Sequence, residues 1–446
     1  MQSPYPDSVL AQRQLIPEIY GKVDFSLVPE RFTAEPDAES AIRREYRARR
    51  GALLADSATV KLIRDYTMMG DKVADAYAAL IPQYGFRTLV SLLEAACDKG
   101  LDALSSPPVE LVTFIRSMEE KPAWLDMSLV EEGAFEERNA FVNLGPYTIR
   151  GAFIATFMNK YSALPMAMTG ALSGELSAKR VFETATFFGA TILPGALDRY
   201  GEGFKAAAKV RLMHSMVRFH ALRSERWDVA TYGIPIPQVD QMPAGLISIY
   251  LLSMKVLGEG RKTFSASERA RLELSRYRCF LLGLPEELLG ETPEDIVRLM
   301  MTRNATLRAG FDDATCGELV RATMAADLRR NPSQWGAVSN RLEQGFSKYF
   351  FVKNFCDDDF ARARRIGVTL SPGDWLAVVL TALLIFGKLR LYRLALEIPP
   401  LRAVAGRSLL RRLRLLLSRW GRAEFVTDAS SYREPADPAP RVSSQE

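Results

Sequence analysis

From Ala41 onward, apolar residues recur three and four positions apart almost without interruption, as in Asp75-Ala-Tyr-Ala-Ala-Leu80 and Leu89-Val-Ser-Leu-Leu-Glu-Ala-Ala. That spacing lines one face of a helix. Alternating β-branched runs bounded by turns are nearly absent, so the pattern predicts an all-α protein. Pro/Gly clusters at Ser105–Pro108, Leu193–Gly195, Gly233–Pro237 and Ser371–Gly373 mark the loops. Residues 1–40 carry scattered prolines and little periodicity, and read as an irregular arm. The predicted organisation continues with one large helical domain over 41–345 and a C-terminal helical extension over 346–427. A Ser/Pro-rich disordered tail over 428–446 completes it.

Two predicted helices frame the candidate chemistry. One runs from Ser173 to Ile192 and the other from Gly203 to Leu222, joined by a Pro/Gly turn short enough to make them antiparallel neighbours. At the helical rise of ~1.5 Å per residue, Thr184 lies roughly 13 Å before the turn and His214 roughly 17 Å after it. They therefore sit near one level. Arg180 and Thr184, four apart, share a face of the first helix.

Histidine is scarce. The 446 residues contain two, His214 and His220, both on the second helix, so any chemistry that needs an imidazole draws on one of them. His214 has Val210 and Val217 along one edge of its face and Arg211 and Arg218 along the other. An apolar edge beside a cationic one suits a flat, apolar, dianionic disc such as haem. The arginines would also depress the imidazole pKa and keep it in the neutral, ligating form. A lone histidine on an apolar helix face is otherwise an ordinary core residue. His220 lies about 120° away round the helix and reads as structural.

Composition narrows the setting. Apolar content of 48 % with 25 % charged residues describes a globular chain with room for a cofactor pocket. Cys97, Cys279, Cys316 and Cys356 stand far apart with no CxxC pair, which excludes a sequence-readable zinc site or disulfide framework. The N-terminus lacks the charged and apolar regions of a secretory signal. Uncharged runs such as Gln241–Met254 and Trp375–Gly387 fall short of the about 20 residues a bilayer span needs. A cytoplasmic protein without a transmembrane helix is the expectation.

The net charge of +5 is unevenly placed. After Gly387 come Lys388, Arg390, Arg393, Arg402, Arg407, Arg411, Arg412, Arg414, Arg419 and Arg422 against Glu397 alone, interleaved with leucines. Such a basic amphipathic helix either covers a core with its arginines in water or settles on anionic lipid. No nucleic-acid reader motif accompanies the charge, so nucleic acid is not an expected partner.

The order Arg180-x-x-x-Thr184, then His214 within Val210-Arg-Leu-Met-His-Ser-Met-Val-Arg218, resembles the signature of the latex-clearing protein (rubber oxygenase) family. That superfamily includes the oxygenase that cleaves the prenyl side chain in mycophenolic acid biosynthesis. Other pieces fall in family order: Pro122-Ala-Trp124-Leu-Asp126, Thr169-Gly170, Tyr232-Gly-Ile-Pro-Ile-Pro-Gln-Val-Asp240 and Leu281-Leu-Gly-Leu-Pro-Glu-Glu-Leu-Leu289. The resemblance, over about residues 100–300, implies a large helical domain of globin-like character enclosing haem b. His214 would be the iron ligand, with Arg180 and Thr184 at the pocket and O₂ as co-substrate.

The chain also departs from that pattern. Rubber-cleaving members carry a lysine just before the motif threonine, where this chain has Glu183, and an asparagine is more usual where Pro237 stands. They are also exported. Glu183 is a candidate for the distal base. Arg211 and Arg218 are candidate propionate partners on helix geometry alone. Phe153, Phe157, Phe187 and Phe188 are candidates to hold substrate carbon. The expectation is oxidation or C=C cleavage of a small lipophilic, isoprenoid-type substrate, against a non-catalytic haem sensor or carrier and a peroxidase-like oxidase.

Overall fold

Helix starts follow the side chains able to satisfy exposed amides. Asp126 accepts from the amides of Ser128 (2.8 Å) and Leu129 (3.4 Å), and Ser265–Glu268 and Ser371–Asp374 form reciprocal capping boxes. The computed structural model describes residues 3–169, 174–328 and 334–421; these residues form helices and no strand. The all-α class is thus what the chain adopts. Two isolated bridges, Phe32 with Leu307 and Ser40 with Arg308, tie the N-terminal arm to the body.

The helices that build and surround the site are, in chain order, α1 (Asp7–Leu15), α2 (Lys72–Ala78), α3 (Met127–Asn143) and α4 (Gly145–Ala155). Then come α5 (Gly174–Ala190), α6 (Glu202–Ala221), α7 (Gln238–Gly258) and α8 (Ala266–Leu281). The last four are α9 (Pro293–Thr306), α10 (Gln334–Phe355), α11 (Pro372–Glu397) and α12 (Pro399–Trp420). The two helices expected around Arg180 and His214 are α5 and α6. Their bounds fall within two residues of the expected ones. α6 packs against α2 and α5; α8 packs on α3 and α7. α11 lies along α10, and α12 folds back beside it, with both resting on α3.

Three expectations about organisation change. The arm over 1–40 is not irregular throughout: α1 and a short helix at Pro17–Tyr20 lie in it. Val9, Ile16, Ile19 and Tyr20 are buried in the same core as Leu409 and Leu413. Helices this short show little periodicity and are held by the surface they pack on. The boundary at 345/346 falls inside α10, so no break separates a body from an extension. α12 belongs to the body too, because Leu409 and Leu413 enter that core. The tail over 428–446, with Arg422 before it, lies outside the described residues.

Candidate functional site

A cavity bordered by α5, α6 and α7 and continuing beyond them has a volume of about 2190 Å³ in all, beyond the ~300–1000 Å³ usual for a small-molecule pocket. His214, Arg180, Glu183 and Thr184 all reach its wall, so the structure brings together four residues singled out from the sequence. The apolar edge of the histidine face, Val210 and Val217, lines it as well. So do the four phenylalanines, in two edge-to-face pairs: Phe153–Phe157 with centroids 4.9 Å apart and Phe187–Phe188 at 5.2 Å.

A chain of amides fixes the chemistry of His214. Its Nδ1 lies 3.3 Å from Gln241 Oε1. Gln241 Nε2 donates to Gln238 Oε1 (2.8 Å), and Gln238 Nε2 donates to the Gly70 carbonyl (3.0 Å). Each amide nitrogen is thereby spent on the next acceptor, which leaves Gln241 an oxygen to offer the ring. Nδ1 must then be the donor, and Nε2 carries the lone pair. Burial pushes this imidazole down from 6.5 to about 4, and the Arg218 guanidinium pushes the same way. At neutral pH the ring is uncharged, oriented, and armed at Nε2. Among the described residues no three His, Cys, Asp or Glu side chains gather to hold a metal. A metal bound here would take a single imidazole from the protein.

Arg211 and Arg218 do not reach the cavity. Arg211 forms a buried pair with Asp71, its Nε on one carboxylate oxygen and its Nη2 2.9 Å from the other. Arg218, fully buried, donates from Nε to Asp75 Oδ1 (2.8 Å), from Nη1 to the Ile236 carbonyl (2.7 Å) and from Nη2 to Ser215 Oγ (3.1 Å). The cationic edge of the histidine face is therefore turned into the protein, where α2 and its N-cap Asp71 supply the carboxylates. Geometry on one helix could not show this, because the acids stand some 140 positions earlier. The two arginines brace the histidine's support instead. Ile236 holds a positive φ of 46°, unfavourable for a β-branched residue and sustained only where surroundings over-determine it. Arg218 grips its carbonyl just before α7 delivers Gln238 and Gln241.

On the α5 side, Arg180 Nη1 lies 3.4 Å from Glu183 Oε2 and 3.6 Å from Met213 Sδ, the residue preceding His214. Arg180 thus bridges from α5 to α6 beside the histidine. Glu183 is buried, although it stands on a helix where a carboxylate usually faces solvent. His220 is not among the residues that line the cavity and stands edge-on to Phe219 at 5.2 Å.

Sequence reasoning missed Gln241, Asp71 and Asp75. Gln241 directly follows the quoted 232–240 segment, and that adjacency was the available signal. Several of the other quoted residues have architectural roles. Asp126 caps α3, while Trp124 stacks under Arg276 at 4.1 Å. Asp240 is held below the usual carboxylate range because Arg31 and Arg303 outweigh the upward push of burial. Gly283 has φ 84°, and a Cβ there would collide with Asp71 and Arg211; glycine suits it on both counts. Thr169 lines the cavity, and Gly170 is outside the described residues. The four cysteines are buried and unpaired.

The family model for the ER-bound oxygenase mpaB/B′/rubber oxygenase catalytic domain matches residues 141–414, reaching further toward the C-terminus than the quoted motifs. A solved structure, "Structure of Latex Clearing Protein LCP in the closed state", is similar with a TM-score of 0.53 and 20 % identity, covering 79 % of this chain and 91 % of that one. At that identity the likeness is one of fold. No curated protein matches.

Proposed function

This chain belongs to the mpaB/rubber oxygenase catalytic-domain family, and from that premise we propose that it is a haem b-dependent oxygenase acting with O₂ on a lipophilic, isoprenoid-type alkene. The observation that carries the reading is His214: a neutral imidazole at the wall of a large, aromatic-lined cavity, whose engaged Nδ1 leaves Nε2 as the nitrogen able to ligate. The residues fit the cofactor. One nitrogen ligand is what a macrocycle-held iron asks of the protein, and about 2190 Å³ accommodates a flat cofactor together with an apolar chain. Bound haem would supply the iron and with it the activation of O₂.

Everything else falls to the chain. His214 would hold the iron, and the Gln241–Gln238–Gly70 relay keeps its ring from rotating. Arg180 presents a guanidinium that can meet a carboxylate or a polar oxygen, and Glu183 beside it can hold a proton at its carboxylate. The Thr184 hydroxyl can donate to an oxygen or a water in the cavity. Phe153, Phe157, Phe187 and Phe188 exclude water and favour hydrocarbon. The space beyond the cofactor supports an enzyme over a sensor or carrier.

The test is an optical spectrum of protein expressed with ample haem. The expected result is a Soret band that disappears in His214→Ala, with O₂ uptake when a lipophilic alkene is added. A colourless wild-type protein overturns the haem assignment. A coloured protein that consumes no O₂ with any alkene overturns the oxygenase and leaves the carrier.

A further inference from the structure

The cavity does not end among α5, α6 and α7. Its wall continues to Leu389, Arg393 and Leu396 of α11 and to Pro399, Arg402 and Trp420 of α12, so it runs out beneath the hairpin these helices make. The outer surface of that hairpin is unlike the rest of the molecule. On α11, Leu376, Val379, Leu380, Leu383 and Phe386 recur at helical spacing and are 50–70 % exposed. The opposite side, with Val378, Thr381 and Ile385, is buried. No charge interrupts the chain from Trp375 to Gly387. A helix on the surface of a protein surrounded by water presents polar side chains there; this one presents hydrocarbon on both sides.

Beyond Gly387 the exposed face turns cationic. Arg390 continues the outer stripe of α11. On α12, Arg407, Arg411 and Arg414 are exposed opposite the buried Leu409 and Leu413, and they form no ion pair among the described residues. Arg402, by contrast, pairs with Glu132 at 2.7 Å, at the cavity wall. α11 and α12 pack on each other and both rest on α3, so these uncovered faces belong to one hairpin.

We propose that the exposed face of the α11–α12 hairpin docks on an anionic lipid bilayer, with the cavity opening at the docked surface. Apolar side chains would enter the acyl boundary while the neighbouring arginines meet lipid phosphates, the two attractions reinforcing each other. A second copy of this chain is a poorer occupant. A two-fold interface through this patch would bring two surfaces of the same positive sign together. α11 is long and apolar enough to cross a bilayer by length and composition. Yet it lies along α10 with Asp374 buried between Ser371 and Lys348 (3.1 Å), so it lies in the membrane plane. Only the clause about the cavity rests on the reading of a lipophilic substrate. Docking needs neither cofactor nor turnover.

Sedimentation of the full-length protein with vesicles tests this. Phosphatidylcholine vesicles with phosphatidylglycerol should carry the protein down, those without it should carry much less, and added salt should weaken the binding. Leu380→Glu with Leu383→Glu should lower binding by at least about tenfold. Arg407→Gln, Arg411→Gln and Arg414→Gln together should lower it on the order of a hundredfold. Both variants change exposed positions, and an unchanged Tm and haem content would show that they fold. Failure of the wild type to sediment with either vesicle overturns the proposal, as does sedimentation indifferent to both variants. A concentration-dependent dimer abolished by Leu380→Glu with Leu383→Glu, without vesicle binding, assigns the face to a second copy. Bound protein that resists alkaline carbonate places α11 across the bilayer and overturns the in-plane arrangement.

Discussion

The back of α6 and the outside of α11 break the same rule in opposite directions. Behind His214, two arginines and two aspartates are buried where hydrocarbon would be cheaper to place. On α11, leucines and a phenylalanine stand outside where polar groups would be cheaper. The first region satisfies its charges, Arg211 with Asp71 and Arg218 with Asp75 and the Ile236 carbonyl. The second leaves its surface without a partner in the described residues. Buried and paired polar groups fix one geometry around an imidazole; unpaired exposed hydrocarbon calls for something outside the chain. The contrast separates a rigid support for chemistry from a surface for association.

The comparison breaks hardest at the buried pairs. Asp75→Ala strands the Arg218 guanidinium and should cost about 3–5 kcal/mol of stability, read as a lower midpoint in urea. A midpoint shifted by less than a third of that would show the pair to be incidental. Gln241→Leu comes next. It removes the acceptor at Nδ1 while leaving the ring in place, and should weaken haem retention by about 10–100-fold with little change in fold, measured by haem transfer to a scavenger. Retention equal to wild type would remove Gln241 from the support.

Acidification probes the same side more gently. The histidine's pKa is about 4 when folded and 6.5 in its ordinary state. Between these values the unfolded chain binds the extra proton, so cofactor-free protein should lose stability as pH falls from 6.5 toward 4, with no further contribution from this group below. His214→Gln should flatten that part of the profile; an unchanged slope would mean the ring is not held as described. The smallest effect belongs to α11: Leu383→Ser, with 70 % of the side chain already exposed, should alter stability by no more than about 0.5 kcal/mol while raising solubility. A loss of several times that would show the face to be covered in the folded monomer.

Much of the fold was legible along the chain because helical periodicity and Pro/Gly punctuation are local. They located α5 and α6 and placed Arg180, Thr184 and His214 at one level, where the cavity joins them. The short helices of the arm were not legible, since Val9, Ile16 and Ile19 earn their burial from distant surfaces. The site divided in the same way. Val210 and Val217 face the cavity as their spacing with His214 implies, but the arginines on the other edge point where their carboxylates lie.

The sequence alone therefore determined which residue types are available and which share a helix face: one suitably placed imidazole, the α5 residues opposite it, and a leucine–arginine C-terminus. Tertiary structure decided what each face meets. Asp71 and Asp75 drew the arginines inward, Gln241 chose the proton-bearing nitrogen of His214, and α10 took one side of α11 and left the other bare. The reason is range: a helix repeats every 3.6 residues and can be read within a short window, whereas a charge, a hydrogen bond or a buried face is settled by whatever the rest of the chain brings alongside.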